Sequence, residues 1–168
     1  IENAVQKELF KPLDKKCCRG ALGLPRDAVI VGAAGALNRK RGFPTLLSAF
    51  QRLKREHDNF YLALAGTPGQ TIPRSERILY LGTLPTEQMP LFFNALDVSV
   101  LSYRENEFGK YCFPQKAYEI MACNIPMVAA RVGSMAELLE GHPQWLYTPD
   151  EPEELAEVIK KRLHAPET

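Results

Sequence analysis

Two stretches of this chain combine residue types able to hold an anion. The first, Gly35-Ala36-Leu37-Asn38-Arg39-Lys40-Arg41-Gly42, follows a continuous apolar run. Glycine lets a backbone approach a ligand closely, and a helix start offers unpaired N–H groups and the positive end of a dipole. Three consecutive cations added there make a local anion trap, although a solvated charged turn would use the same residues. The spacing is neither GxGxxG nor a Walker loop, so it leaves both open. The second stretch runs from Ser102 to Glu119. A helix opening at Pro114 would turn the free N–H groups of Gln115 and Lys116 toward a ligand. Glu119 would sit in its second turn, where a carboxylate can accept from paired hydroxyls such as those of a ribose. A plain surface acid is the alternative.

Other chemistries find little support. His57, His142 and His164 lie at helix ends or in a turn, with no Ser or Cys nucleophile pattern around them. No DXD and no carboxylate cluster suggests a metal, so none is expected. Cys17, Cys18, Cys112 and Cys123 show no Cys/His ligand spacing and read as reduced thiols of a cytoplasmic protein. Phe92 and Phe93 read as core, and Arg52, Lys54 and Arg55 as a solvated helix face.

A length of 168 residues fits one domain, large enough to fold without disulfides or metal. Net charge is +1, so no global field recruits nucleic acid or an anionic membrane. No apolar run is long enough to span a bilayer, and the N-terminus does not read as a signal peptide. The absent initiator Met suggests a fragment of a longer protein.

Short apolar runs alternate with amphipathic segments, the pattern of a parallel sheet covered by helices. Strands are expected at 28–36, 60–65, 78–81, 98–101, 126–130 and 145–147. Helices are expected at 14–22, with Asp14 as N-cap and Gly23 as stop, and at 44–57, with Leu46, Leu47, Phe50 and Leu53 inward. Others are expected at 86–95, capped by Thr86 with Leu91, Phe92 and Leu96 inward, and at 114–123, 134–139 and 152–163. Residues 67–77 and 103–112 read as loops. The expected fold is a doubly wound, Rossmann-like three-layer α/β sandwich with about six parallel strands, spanning 14–168 after an irregular 1–13. Ligands in such sheets bind beyond the carboxyl ends of the strands, which directs attention to the two stretches above.

The same segments carry a resemblance. Asn3-Ala4-Val5 through Phe10-Lys11-Pro12 looks like an interdomain linker, followed by Leu22-Gly23-Leu24-Pro25, Gly35 to Gly42 with Leu46-Leu47-Ser48-Ala49-Phe50, and Leu79-Tyr80-Leu81-Gly82. Ala95-Leu96-Asp97-Val98 and Phe113-Pro114 to Glu119-Ile120-Met121-Ala122-Cys123 complete the order. Together they resemble the C-terminal domain of GT-B fold, group 1 retaining glycosyltransferases. The resemblance implies half of a GT-B fold and a donor nucleoside-diphosphate sugar, UDP or GDP, with no cofactor. It implies Glu119 on the ribose, Arg41 on the diphosphate, backbone near Leu84 on the base, and Lys40, Arg41 or Lys116 as the supply of positive charge. The loop at Gly35 and the helix start at Phe113 and Gln115 would flank phosphates and sugar. Arg41 and Lys116 are therefore the expected catalytic cations. An acceptor glycan or lipid would belong to an N-terminal domain outside this chain, with peripheral membrane association open to the full-length protein, at the inner face of the membrane. Two positions depart from the family: Tyr111 stands where a donor-contacting Glu is frequent, and Ala36 where an Arg is frequent. The rival readings are a nucleotide-binding regulatory domain without transfer chemistry and an epimerase of UDP-sugars.

Overall fold

A computed structural model describes residues 5–112 and 115–165. The chain begins with α1 (Lys15–Leu22), β1 (Val29–Ala34), α2 (Phe43–Glu56), β2 (Phe60–Ala65) and β3 (Ile78–Tyr80). It continues through α3 (Met89–Asn94), β4 (Val98–Leu101), α4 (Glu107–Tyr111) and α5 (Gln115–Ala122). β5 (Met127–Ala130), α6 (Gly133–Leu138), β6 (Leu146–Tyr147) and α7 (Pro152–His164) complete it. The strands form one sheet in the order β3-β2-β1-β4-β5-β6, and every pairing is parallel. Chain order reverses direction between β1 and β4, which makes their carboxyl ends the switch point.

Alternation along the strands sorts the core into two layers. Val31, Ala33, Leu62 and Leu64 face Phe43, Leu46, Phe50 and Leu53 of α2 and Leu155 and Ile159 of α7. Ile30, Ala63 and Ala65 face the other way, toward Phe92 and Phe93 of α3, Ala117 and Ile120 of α5, and Met135 of α6. Burial on both faces is why these strands read as continuous apolar runs. The three-layer expectation is met.

Local signals mark the helix ends where their chemistry is complete. Asp14 accepts from the Cys17 N–H at 2.9 Å, and Gly23 closes α1 at φ 70°. Thr86 is a correction: it makes no capping bond, Pro85 holds the N-cap position, and a 3-10 turn, Thr86–Gln88, leads into α3. Phe92, Phe93 and Leu96 are fully buried as expected, and Leu91 packs against them half-buried, because α3 is short and buried on a wide arc. β1 stops at Ala34, short of the expected 36, because Gly35 turns the chain at φ 114°. Residues 103–112 are not all loop. Asn106 caps α4 by accepting from the Gly109 N–H at 2.8 Å. The expected helix start at Phe113 and Pro114 lies outside the described residues.

One buried ion network ties α1 to the sheet. Arg19, 3% exposed, donates to the carbonyls of Ala95, Arg26 and Ala28 and pairs with Asp97 at 2.8 Å. Asp97 also accepts from the Ile30 N–H at 2.8 Å and from Lys15 at 2.7 Å. Removing the Arg19 guanidinium would leave the Ala95 and Ala28 carbonyls without their donor and take one of three donors from Asp97. Arg19→Ala should therefore lower unfolding stability by about 3–5 kcal/mol in urea denaturation. A loss of only about 1 kcal/mol, the scale of an exposed pair, would show that the network is structurally idle.

Candidate functional site

The floor of the site is backbone. Gly35 N–H donates to the Ala65 carbonyl at 2.9 Å, and Gly66 N–H donates to the Gly82 carbonyl at 2.9 Å, which gathers the ends of the three strands β1, β2 and β3. Gly66 has φ 144°, and a Cβ there would collide with the Gly35 carbonyl. Only glycine permits this approach.

Above the floor stands the turn that follows β1. Asn38 accepts from the Arg41 N–H at 3.1 Å, and Arg39–Arg41 form a single 3-10 turn. Two bonds clamp that turn to the segment after β4. Ser102 Oγ donates to the Arg41 carbonyl at 3.1 Å, and Asn106 Nδ2 donates to the Lys40 carbonyl at 3.0 Å. The Arg41 guanidinium lies over the Phe108 ring of α4, 4.0 Å from its centroid. A side chain on Gly35 would meet Lys116 Nζ at 2.9 Å and Arg41 Nη1 at 3.9 Å. Two cations from distant elements thus converge over one glycine. Neither makes a salt bridge among the described residues.

A cleft of about 530 Å³ opens over this arrangement, at the switch point. Gly35, Arg41, Leu84, Gln115, Lys116 and Glu119 all line it. Lys40 does not; it is exposed on the outer side of the turn, and its carbonyl is held by Asn106. Phe113 lies outside the described residues. Glu105 and Glu107 are exposed and line no part of the cleft, and Tyr111 is 73% exposed. Sequence reasoning missed Phe10, Tyr103, Phe108 and Cys112, which also line it. Phe108 and Cys112 arrive through α4, whose only local signal is the Asn106 cap. Phe10 is carried in by packing against Phe93, with ring centroids 6.3 Å apart.

The electrostatics follow chiefly from burial. Burial, and then the neighbouring Arg41, hold the Lys116 ammonium below its ordinary range. Burial raises the Glu119 carboxyl, against the opposing pull of its hydrogen bond from Gln115 at 3.4 Å and of Lys116. Burial, with Cys112 beside it, pushes the Tyr103 phenol up to about 12. Such a cleft is poised for a ligand that brings negative charge to the cations and hydroxyls to the carboxylate. Among the described residues, no group of three or more His, Cys, Asp or Glu could hold a metal ion.

A doubly wound parallel sheet with two cations converging on a cleft at its switch point defines a Rossmann-like fold, the kind of unit from which GT-B enzymes are built. This chain belongs to the glycosyl transferases group 1 family, whose model matches residues 28–165. It is similar to D-inositol 3-phosphate glycosyltransferase 2 of Catenulispora acidiphila, at 27% identity over 185 residues covering 99% of this chain and 42% of that protein. The chain therefore spans less than half the length of that relative. Its fold matches Anabaena Alr3699/HepE, solved in complex with UDP-glucose, with TM-score 0.78 and 25% identity over 98% of this chain and 47% of that one. It also matches the C-terminal domain of the group 1 glycosyl transferase LpcC from Francisella tularensis, with TM-score 0.77 and 16% identity over 96% and 88% of the two chains. At that identity the last likeness concerns the fold alone. No helix of the described residues is long and apolar enough to cross a membrane.

Arg41 and Lys116 repel each other across Gly35, so removing one charge should relax the other. In Arg41→Gln the Lys116 ammonium should titrate at higher pH than in the parent, read from its Cε and Hε resonances. An unchanged titration would mean that burial alone sets it.

Proposed function

We propose that this chain is the donor-binding half of a retaining glycosyltransferase that moves a hexose-type sugar from a nucleoside-diphosphate sugar. The observation that carries the reading is the convergence of Arg41 and Lys116 on Gly35, with Glu119 one helical turn beyond Gln115 in the same cleft. The diphosphate would lie over Gly35 between the two cations. The ribose would give its hydroxyls to Glu119, and the base would meet backbone near Thr83 and Leu84. The UDP-glucose bound by the structurally similar Anabaena protein supports a uridine donor.

In this reading Arg41 and Lys116 perform the electrostatic work. As the bond from the sugar to the diphosphate breaks, negative charge grows on the leaving oxygen. Preorganised cations in a half-buried cleft stabilise that charge more than water would. They also replace the charge of a metal, so chelator should leave nucleotide affinity unchanged. The acceptor, a glycan or lipid, would be presented by an N-terminal domain of a longer parent protein, acting in the cytoplasm or at the inner membrane face.

Titration with UDP and GDP, followed by thermal unfolding, tests the donor site. Saturation at about 100 times Kd should stabilise the fold by about 2.7 kcal/mol. Glu119→Ala and Arg41→Ala should each weaken the affinity by about tenfold or more, the worth of a hydrogen bond to a charged group. Failure of every nucleoside diphosphate to stabilise the chain would overturn the reading.

The pH profile is a separate check. Glu119 accepts from a pair of hydroxyls most strongly when ionised, and its raised pKa moves the acid-side loss of affinity above the usual carboxylate range. Lys116 attracts diphosphate only when protonated, and its lowered pKa brings the alkaline loss below the usual lysine range. Lys116→Arg should abolish the alkaline limb in calorimetry, because guanidinium stays charged. An alkaline limb that persists in that variant would assign it to another group.

A further inference from the structure

A second pocket lies behind the cleft, on the far side of the contact between Gly42 and Tyr103. A Cβ on Gly42 would stand 3.3 Å from the backbone of Tyr103, so little more than main chain separates the two cavities. The pocket has a volume of about 320 Å³ and is lined by Arg39, Gly42, Pro44, Thr45, Arg104 and Asp150.

α2 starts here and runs for 14 residues, and its N-cap, Gly42, supplies no side-chain bond. In its first turn Phe43 N–H donates to the Asn38 carbonyl at 3.2 Å, and Leu46 N–H donates to the Gly42 carbonyl at 3.3 Å. Pro44 has no N–H, and the Thr45 N–H has no partner among the described residues. Thr45 is only 8% exposed, and its hydroxyl also lacks a partner among the described residues. Thr45 lines the pocket wall, so its unpaired amide and hydroxyl are donors that a ligand oxygen entering the pocket can meet.

The charges point the same way. Arg104 gives Nε to Asp150 at 3.1 Å, and its terminal nitrogens have no partner among the described residues. Arg39 makes no ion pair among the described residues. Asp150, the carboxylate at this pocket, is matched by Arg104. Arg39 and the dipole of α2 therefore leave the pocket positive.

We propose that this pocket is a second oxyanion site, built for a phosphate group. The Thr45 amide and hydroxyl donate to its oxygens, while Arg39 and the free nitrogens of Arg104 neutralise its charge. Phosphate suits the site because its oxygens can meet all four donors while its charge faces Arg39 and the helix start, with Arg104 shared between it and Asp150. The phosphate can be inorganic or the monoester of a sugar. None of this depends on what occupies the cleft in front.

The test is an amide-resolved NMR titration of the chain, first with inorganic phosphate and then with glucose 6-phosphate, at ionic strength held constant with chloride. The Thr45 amide should shift and saturate. Thr45→Ala, which keeps a strong helix former in place, and Arg104→Gln should each weaken binding by about tenfold. Asp150→Asn, which removes the competing carboxylate, should tighten it. Tighter binding of glucose 6-phosphate supports the site with a monoester as its ligand; equal or weaker binding than phosphate supports it with the free ion. A Thr45 shift that stays linear, or saturation confined to Gly35, Lys116 and Glu119, would overturn the proposal. The second of those results would leave the donor site standing, and a saturating Thr45 without any response to UDP would do the reverse.

Discussion

The structure turns on one backbone contact, the Gly35 carbonyl held against Gly66 with no side chain between them. This contact closes the ends of β1 and β2 into a floor and turns the chain outward immediately after β1. Because Gly35 carries no side chain, the space above it is left to Lys116 and Arg41. A larger residue at Gly66 would displace the floor, and one at Gly35 would displace the cations. The cleft is therefore a consequence of two missing side chains as much as of the residues that line it.

The cations come from opposite sides of the switch point and are kept there by different means. Arg41 is held by the Asn38 cap, by the Ser102 bond to its carbonyl and by the Phe108 ring beneath its guanidinium. Lys116 rides on α5, whose inner residues Ala117 and Ile120 are fully buried. Neither is offset by an ion pair, so the site carries a standing electrostatic cost that the packed core must absorb. Asp97 shows the opposite arrangement at the other end of β4, where three donors converge on one carboxylate. That end of the sheet is built for stability, and the carboxyl end is left underneutralised.

The turn from Arg39 to Arg41 serves two cavities at once. Arg41 faces the cleft, Arg39 the pocket behind it, and Lys40 the solvent. A 3-10 turn advances by a third of a revolution per residue, so three adjacent cations must point in three directions. The Gly42 contact with Tyr103 forms the wall between the cavities.

Much of this was legible in the residues. Continuous apolar runs, amphipathic helical segments and helix caps such as Asp14 and Gly23 are short-range signals, written within a few neighbours of each residue. They determined the kinds of element, their order and the doubly wound sheet, and the motifs in register indicated the group 1 family. The tertiary structure decided which of Arg39, Lys40 and Arg41 enters the cleft, that α4 interrupts residues 103–112, and that Phe10 reaches the lining. It also decided that Thr45, Arg104 and Asp150 share a pocket. Those outcomes rest on approaches between residues far apart in the chain, set by the packing of whole elements, and no local pattern of side chains records them.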